Sequence, residues 1–405
     1  MAQEENNTTT TTTAAATSRG IASVSLFPAF FMDLRVAVVG ASLGGLSVAN
    51  VLQHLGAHVE VFECFPKGFH TRGGALGAVD TELVREIRGD AGSSGHRQIK
   101  GHGHFYGDLW QYFYEGLEEG TVHFGVDVQE VLEASSKAPQ LLLSDGPREF
   151  DLIVGADGGK SSIRPYVTKK LPTYAGYTLW RGLVPTKGIA GPPSGSATIG
   201  GAEYQTLGFP CPGPEDTGTL WNCGVYMAIP EINVEAPTRN RQVREGMKKV
   251  PDWFIPFVRH FFGDTNAKFW EECSEKGKVS PHPVWELAAD RVVNGRIILL
   301  GDAAHMASPR TGAGAYTAMS DAVMLGAALQ RGKTLEEALQ IYNDDTVKRG
   351  QQLFQQSRQA ASYFAPSGWK PVSPAKLLED ALLRRKAEEA KSEKGLIKQF
   401  QGCFR

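Results

Sequence analysis

The sequence predicts an α/β (α+β) fold. It comprises a Rossmann-like nucleotide-binding domain, a mostly antiparallel β-sheet set into it, and a C-terminal helical segment. Three observations predict this. Apolar runs of strand length end in glycine-bearing turns near residues 40, 157 and 302, the last two with an acid. The first of these turns continues into helical spacing and then a second strand. Between the second and third lies a stretch rich in Gly, Pro and aromatics, with alternating runs such as Cys223-Gly224-Val225-Tyr226-Met227-Ala228-Ile229.

The elements follow in chain order. Arg35-Val36-Ala37-Val38-Val39 has strand length, and Gly40-Ala41-Ser42-Leu43-Gly44-Gly45 follows it. Leu46 to Leu52 has helical spacing, and His58-Val59-Glu60-Val61-Phe62 is a second strand ending on Glu63. This is a βαβ unit with an acid about 20 residues past the loop. Gly40 suits the tight turn, Gly45 lets helix and strand pack closely, and Glu63 suits a ribose hydroxyl. Ser42 replaces the usual middle glycine with a compact residue.

Gly101 to Gly107 mimics a second such loop, but Gly89 to Gly95 before it is no strand. It reads as a loop leading to a helix that starts near Asp108. His102 and His104 find no third ligand at metal-binding spacing, so no metal site is expected. Asp151-Leu152-Ile153-Val154-Gly155-Ala156-Asp157-Gly158-Gly159-Lys160-Ser161-Ser162-Ile163-Arg164 is a buried strand and a polar turn.

Gly301 to Ala322, GDAAHMASPRTGAGAYTAMSDA, follows the apolar strand Ile297 to Leu300. Asp302 can accept from a cofactor hydroxyl. The glycines allow close backbone approach, and a helix start offers N–H groups to an electron-rich carbonyl. His305 is expected to support this loop rather than move protons. From Pro371 the chain becomes highly charged, with Leu377, Leu378, Leu382 and Leu383 on one side of an expected terminal helix.

The chain has 405 residues, 41% hydrophobic and 21% charged, with a net charge of −2. That balance gives no reason to expect nucleic acid or an anionic membrane as partner. Five scattered cysteines without CxxC spacing favour a reduced, cytoplasmic setting. P-loop and HExxH motifs are absent. Thr8 to Thr13 is low complexity, Glu4 and Glu5 argue against a transit peptide, and Ile21 to Phe31 is too short to span a bilayer. Residues 1–33 therefore read as a disordered extension, or as the product of a start codon misplaced ahead of Met32.

The three ordered motifs resemble those of the FAD-dependent aromatic hydroxylases, single-component flavoprotein monooxygenases with the para-hydroxybenzoate hydroxylase fold. The matching elements are the fingerprint at Gly40, the DG motif Asp157-Gly158-x-x-Ser161-x-x-Arg164, and the GD motif Gly301-Asp302. The resemblance spans roughly Leu34 to Leu329. Thr71-Arg72-Gly73-Gly74-Ala75-Leu76 looks like the family's Arg-x-Gly loop, which makes Arg72 a candidate for the FAD phosphates. Tyr174 to Val184 looks like a segment of the 2,6-dihydroxypyridine hydroxylase branch. Tyr106 stands where many relatives carry an Arg facing the ribityl chain.

The resemblance implies a discontinuous FAD-binding domain over 34–175 plus 290–365, a substrate domain over 176–289 and a helical tail over 366–405. It implies FAD held by Gly40, Ser42, Gly45, Glu63, Arg72, Asp157, Asp302, Gly314 and Ala315, with NADH or NADPH docking transiently. It further implies hydroxylation of a small electron-rich (hetero)aromatic or phenolic ring by O2 through a flavin C4a-hydroperoxide. Pro309 would shape the loop beside the ring. Backbone N–H groups from Gly312 to Ala315 would stabilise the anionic reduced flavin. His282 is the candidate base toward a phenolic substrate. Trp180, Tyr204 and Trp221 read as packing rather than ligand contacts.

Two alternatives stay open, a non-catalytic FAD-binding scaffold or sensor and a flavin-dependent halogenase. The halogenase motif Trp-x-Trp-x-Ile-Pro is matched only by Val225 to Pro230, which lacks both tryptophans. A homodimer is also left open.

Overall fold

The computed structural model describes residues 30–68, 75–76, 80–89, 104–188, 190–213, 218–229, 250–366, 368, 370 and 372–402. β1 (Arg35–Val39) leads through α1 (Leu43–His54) to β2 (His58–Glu63). The two-residue strands β3 (Ala75–Leu76) and β4 (His104–Phe105) pair with each other. α2 (Thr81–Arg88) lies between them in sequence, and α3 (Tyr106–Tyr114) follows. β5 (Val122–Phe124) pairs with β2 in parallel. β6 (Glu130–Leu132), β7 (Gln140–Leu143) and β8 (Gly146–Glu149) form an antiparallel meander. β9 (Leu152–Gly155) then returns beside β1 in parallel.

The chain next crosses into a second sheet. Its strands are β10 (Thr173–Pro185), β11 (Gly195–Ile199), β12 (Ala202–Pro212) and β13 (Thr219–Ala228). After helix α4 (Phe254–Glu275) comes β14 (Val279–Ala288). The first sheet is completed by β15 (Val293–Asn294) and β16 (Ile297–Leu299), with β16 parallel to β9. β17 (His305–Met306) pairs with β14, so the segment after β16 is stitched to the second sheet. α5 (Gly314–Arg331), α6 (Leu335–Ala361) and α7 (Pro374–Gly402) follow.

The first sheet runs β15-β16-β9-β1-β2-β5, with the four pairings from β16 to β5 all parallel. β1 and β9 are buried almost throughout, as a parallel strand covered on both faces requires. The second sheet runs β11-β12-β13-β10-β14-β17 and every pairing in it is antiparallel. One face carries Trp180, Val184, Val225 and Met227 against Phe254, Phe257, Phe269 and Trp270 of α4. Nothing in the alternation of the roof segment announced α4. It bends at Gly263, whose φ of +85° breaks the helical geometry.

Two expected boundaries shift. The fold begins before residue 34: Phe31 is fully buried in the core, and the Asp33 N–H donates to the Gly56 carbonyl at 3.1 Å. The end of the apolar Ile21–Phe31 stretch is therefore a core plug rather than part of an extension. β10 starts at Thr173, so the second sheet opens three residues ahead of the expected 176. The tail helix α7 docks Leu377 and Leu378 on the second core, while Leu382 and Leu383 are exposed. Among the described residues no helix is long and apolar enough to cross a membrane.

Candidate FAD and substrate site

The three sequence motifs lie at the C-terminal ends of three adjacent strands, β1, β9 and β16, with Glu63 ending β2 beside them. The chain leaves β1 for β2 on one side and pairs with β9 on the other. A crevice opens where the connections diverge, which is where open α/β sheets take ligands.

Gly40 has φ +102°, and a Cβ there would lie 2.6 Å from the Ala156 carbonyl oxygen. Gly45 is more constrained still, since its Cβ would lie 1.9 Å from the Gly40 oxygen. α1 can start against the turn only because both are glycine. Ser42 is the N-cap of α1 but makes no side-chain cap bond. Its hydroxyl instead pairs with the Tyr106 hydroxyl at 2.8 Å. The first-turn N–H groups of α1 remain available to an anion. Tyr106 thus enters the site from α3 at the position where an Arg was expected. Trp110 of the same helix donates its indole N–H to the Ala41 carbonyl and braces the loop at 2.6 Å. Glu63 accepts from the Ala41 N–H at 2.8 Å and the Phe65 N–H at 3.0 Å.

In the second motif, one oxygen of Asp157 accepts from the Ser162 N–H at 2.6 Å and the Ser162 hydroxyl at 2.9 Å. Its other oxygen, Oδ1, is buried and takes no hydrogen bond among the described residues. A buried carboxylate oxygen without a donor is costly, so it fits a hydroxyl brought by a ligand.

The sequence marked Arg164 as part of the motif and missed what it does. Its buried guanidinium donates to the carbonyls of Ala303 at 2.8 Å, Gly159 at 2.9 Å, Asp302 at 3.1 Å and Gly158 at 3.3 Å. It binds the second motif to the third. Burial pulls its pKa down, opposed by the charges of Asp157 and Asp302.

Asp302 lies in a 3₁₀ turn (Gly301–Ala303) with its side chain exposed and no hydrogen bond to its carboxylate among the described residues. Asp302→Ala should therefore leave the thermal midpoint of the apoprotein within about 1 °C, since surface changes stay within ±0.5 kcal/mol. It should weaken FAD binding about tenfold or more, as read by flavin fluorescence titration.

His305 is 3% exposed, and its Nε2 lies 2.7 Å from Asp321, itself fully buried. Arg349 pairs with the other Asp321 oxygen, and the Gly301 N–H donates to the first at 2.8 Å. With Arg349 already neutralising Asp321, a proton on His305 would be a surplus buried cation. Burial, and then the Arg349 charge, pull the His305 pKa from 6.5 down to about 4. The neutral ring is what the fold stabilises. This contribution is complete above pH 6.5 and is lost as pH falls through 6.5 toward 4. Urea midpoints taken across that window should fall, and His305→Asn should flatten the slope. The geometry agrees with the expected supporting role.

The loop after β17 is a 3₁₀ turn at Pro309–Thr311 capped by Ser308, and Gly312 closes it at φ +64°. A Cβ on Gly312 or Gly314 would meet nothing within 4 Å, so open space lies over this loop. Gly314 and Ala315 begin α5, whose cap residue Ala313 offers no side-chain bond to the first-turn N–H groups. The Ser308 N–H donates to the Ser357 hydroxyl at 2.6 Å, which donates to Glu286 at 2.6 Å; Arg358 closes the chain at 2.9 Å. Tyr177 of β10 donates to the Ser308 hydroxyl at 2.5 Å.

That bond orients the second sheet. Tyr177, Leu179 and Arg181 share a face of β10 with Tyr226 and Asn222 of β13 and Gln205 and Leu207 of β12. This face turns toward the loop, while Trp180 and Tyr204 point to the α4 side and pack on Phe254 and Phe257. Trp221, in register with Val184, also lies on the α4 side. The packing reading of these three holds. His282 is in register with Leu179, on the loop-facing side but exposed, and its ring bonds the Ser280 hydroxyl at 2.9 Å. Arg72 lies outside the described residues. Among them no group of His, Cys, Asp or Glu is arranged to hold a metal.

The family model described as an FAD binding domain matches residues 265–357, from α4 through the GD loop into α6. The chain is 26% identical over 392 residues to the 2,6-dihydroxypyridine 3-monooxygenase of Paenarthrobacter nicotinovorans, covering 84% of this chain and 94% of that enzyme. The chain is similar to FAD-dependent aromatic hydroxylases.

Solved structures show the same fold. The 2,6-dihydroxypyridine-3-hydroxylase from Arthrobacter nicotinovorans superposes on this flavoprotein with a TM-score of 0.65 at 21% identity, over 86% of this chain and 96% of that one. Klebsiella pneumoniae HpxO complexed with FAD and uric acid gives 0.63 at 21% identity, over 87% and 92%. The residues of this flavoprotein fit the cofactor: glycines that no side chain can replace, a buried acceptor on Asp157 and an unpartnered carboxylate on Asp302.

Proposed function

We propose that this flavoprotein hydroxylates a small electron-rich (hetero)aromatic or phenolic ring, using O2 and NADH or NADPH. The stoichiometry is ring–H + O2 + NAD(P)H + H⁺ giving ring–OH + H2O + NAD(P)⁺. The observation that carries this reading is the Tyr177–Ser308 bond, which sets a mixed aromatic and polar sheet face opposite the GD loop. Bound FAD would supply hydride acceptance and oxygen activation.

The chain's own residues do the rest. Gly40, Ser42, Gly45 and the α1 N-terminus receive the dinucleotide, Glu63 and Asp157 its hydroxyls, and Asp302 the ribityl side. Pro309 and Gly312 shape the loop at the ring. The N–H groups of Gly314 and Ala315, with the α5 dipole, stabilise negative charge on the reduced ring. Leu179, Leu207, Tyr226 and Phe364 form an apolar wall that keeps water out. His282, exposed and in register with Leu179, would take a substrate hydroxyl proton in this reading. Among the described residues the nucleotide-binding topology occurs once, in the first sheet, and the nicotinamide would visit and leave. Among the described residues no disulfide joins Cys64, Cys211, Cys223 and Cys273, which suits a cytoplasmic enzyme.

A stopped-flow screen of hydroxypyridines, salicylates and other phenols against the FAD-loaded enzyme tests the reading. One class should accelerate flavin reduction by NAD(P)H and yield a product heavier by one oxygen drawn from labelled O2. Failure of every ring compound to do either would overturn it.

A further inference from the structure

Ser308 is the pivot of the GD loop, and each of its polar groups is engaged. Its carbonyl accepts from the Thr311 N–H at 3.0 Å and from the Thr311 hydroxyl at 2.8 Å. Its hydroxyl accepts from the Arg310 N–H at 3.1 Å and from Tyr177. The turn over Pro309–Thr311 therefore hangs on this residue. The Ser308 N–H runs the other way, to the hydroxyl of Ser357 on α6 at 2.6 Å.

Ser357 is fully buried, where a hydroxyl without partners would be costly. It has one proton to give. Glu286 of β14, also buried, accepts it at 2.6 Å, and Arg358 holds the other Glu286 oxygen at 2.9 Å. With its proton committed to Glu286, the Ser357 oxygen can only accept on the loop side, and the Ser308 N–H is what it accepts.

The same polarity continues beyond Ser308. Thr311 gives its hydroxyl proton to the Ser308 carbonyl, so its oxygen accepts from the Ala313 N–H at 3.2 Å. Ala313 is the cap of α5, and open space lies beyond Gly314. Every donor in this string, from Ala313 through Thr311 and Ser308 to Ser357, points toward Glu286. Hydrogen bonds aligned head to tail strengthen one another. The string fixes the start of α5 with respect to β14 and α6.

We propose that Ser357 is a positioning residue for the flavin ring, oriented by Glu286 and acting through Ser308 and Thr311 on the α5 N-terminus. This rests on the proposed function in placing FAD over the GD loop. Loss of the Ser357 hydroxyl leaves the Ser308 N–H and one Glu286 oxygen without their partners. The turn then loses its hold, and the N–H groups of Gly314 and Ala315 lose their aim. The reduced, anionic ring should suffer more than the oxidised one, because hydrogen bonds to a charged acceptor are the stronger ones.

The test compares FAD-loaded wild-type protein with Ser357→Ala, Ser357→Thr and Thr311→Val. Each is reduced at equilibrium against a dye of known potential and followed by the flavin visible spectrum, with the urea midpoint measured beside it. Ser357→Ala should hold reduced flavin about tenfold less tightly relative to oxidised flavin, which for a two-electron couple lowers the midpoint potential by about 30 mV. Thr311→Val cuts the string in the half-buried loop and should shift the potential in the same direction. Ser357→Thr keeps the hydroxyl and should restore the wild-type potential, whatever it does to stability.

A potential unchanged in both Ser357→Ala and Thr311→Val overturns the proposal even if the urea midpoint falls, since the bonds would then be purely structural. A shift that Ser357→Thr fails to reverse overturns it as well. If Ser357→Ala does not retain FAD, Thr311→Val decides alone. Potentials that shift as expected in a protein that oxygenates no ring would leave Ser357 in its role and sink the hydroxylase reading. Ring oxygenation with unmoved potentials would do the reverse.

Discussion

Gly45→Ala is expected to yield protein that neither folds stably nor binds FAD. The β-carbon would stand 1.9 Å from the Gly40 carbonyl oxygen and 3.0 Å from its carbon. These are backbone atoms, so no rotamer change relieves the overlap. Gly40 is itself closely backed, since a Cβ built on it would lie 2.6 Å from the Ala156 carbonyl oxygen. α1 would have to lift from β1, opening contacts among fully buried residues such as Val38, Leu46 and Ala49. The cost should exceed about 3 kcal/mol, at or beyond the upper range for overpacking. Thermal unfolding and the yellow colour of the purified protein would both report it. A Gly45→Ala protein that keeps wild-type FAD content would show that the helix and turn are not packed as described. Gly44→Ala makes a useful contrast. Its β-carbon meets the end of the Leu300 side chain at 2.7 Å, which can rotate away, so a milder loss is expected.

Arg164→Met should produce the second large effect. The guanidinium satisfies four carbonyls drawn from both the DG and GD segments. Methionine keeps the apolar stem and leaves these buried acceptors without donors, at about 1–3 kcal/mol for each that water cannot reach. Asp157 and Asp302 would also lose the positive charge that now lies near both. We expect lower stability in urea and a larger fall in FAD affinity than Asp302→Ala causes. Lysine should rescue poorly, because an ammonium cannot reproduce the planar fork that spans both segments. If Arg164→Met shifts stability but not FAD affinity, the clamp does not shape the cofactor site.

The parts of the molecule that were legible in the sequence are those written in short spacing. The glycine turn at Gly40, the acid at Glu63 and the strand–turn runs at Asp157 and Asp302 each lie within one stretch of chain. Local chemistry at a strand end is enough to mark them. Antiparallel alternation in the Cys223 region was legible for the same reason, as β13 shows.

What stayed hidden depends on partners far along the chain. Nothing near Arg164 says that its donors reach Ala303, 139 residues away. Tyr106 looked like a missing arginine until its hydroxyl was seen against Ser42. Phe31 looked like the end of a disordered extension because its pocket is made by other segments. α4 hid because its aromatics sit on a weakly segregated helix with a glycine break at Gly263. The loop-facing side of the second sheet became visible only when strand register put Arg181, Asn222, Tyr226 and Gln205 on one surface.

The strand order of the first sheet has a consequence for how this protein is made. The neighbours β1, β9 and β16 begin at residues 35, 152 and 297, so the cofactor crevice joins segments from the start and the last third of the chain. Contacts of such long sequence separation form slowly and late. During synthesis the N-terminal βαβ unit can fold while β16 is still inside the ribosome. It then waits with one edge of β9 unpaired and the Arg164 donors unmet. The nascent chain is most open to aggregation in that interval, and FAD can be captured only after it ends. Flavin supply would therefore act on this protein after folding of the first lobe, as a late lock on an assembly whose pieces arrive far apart in time.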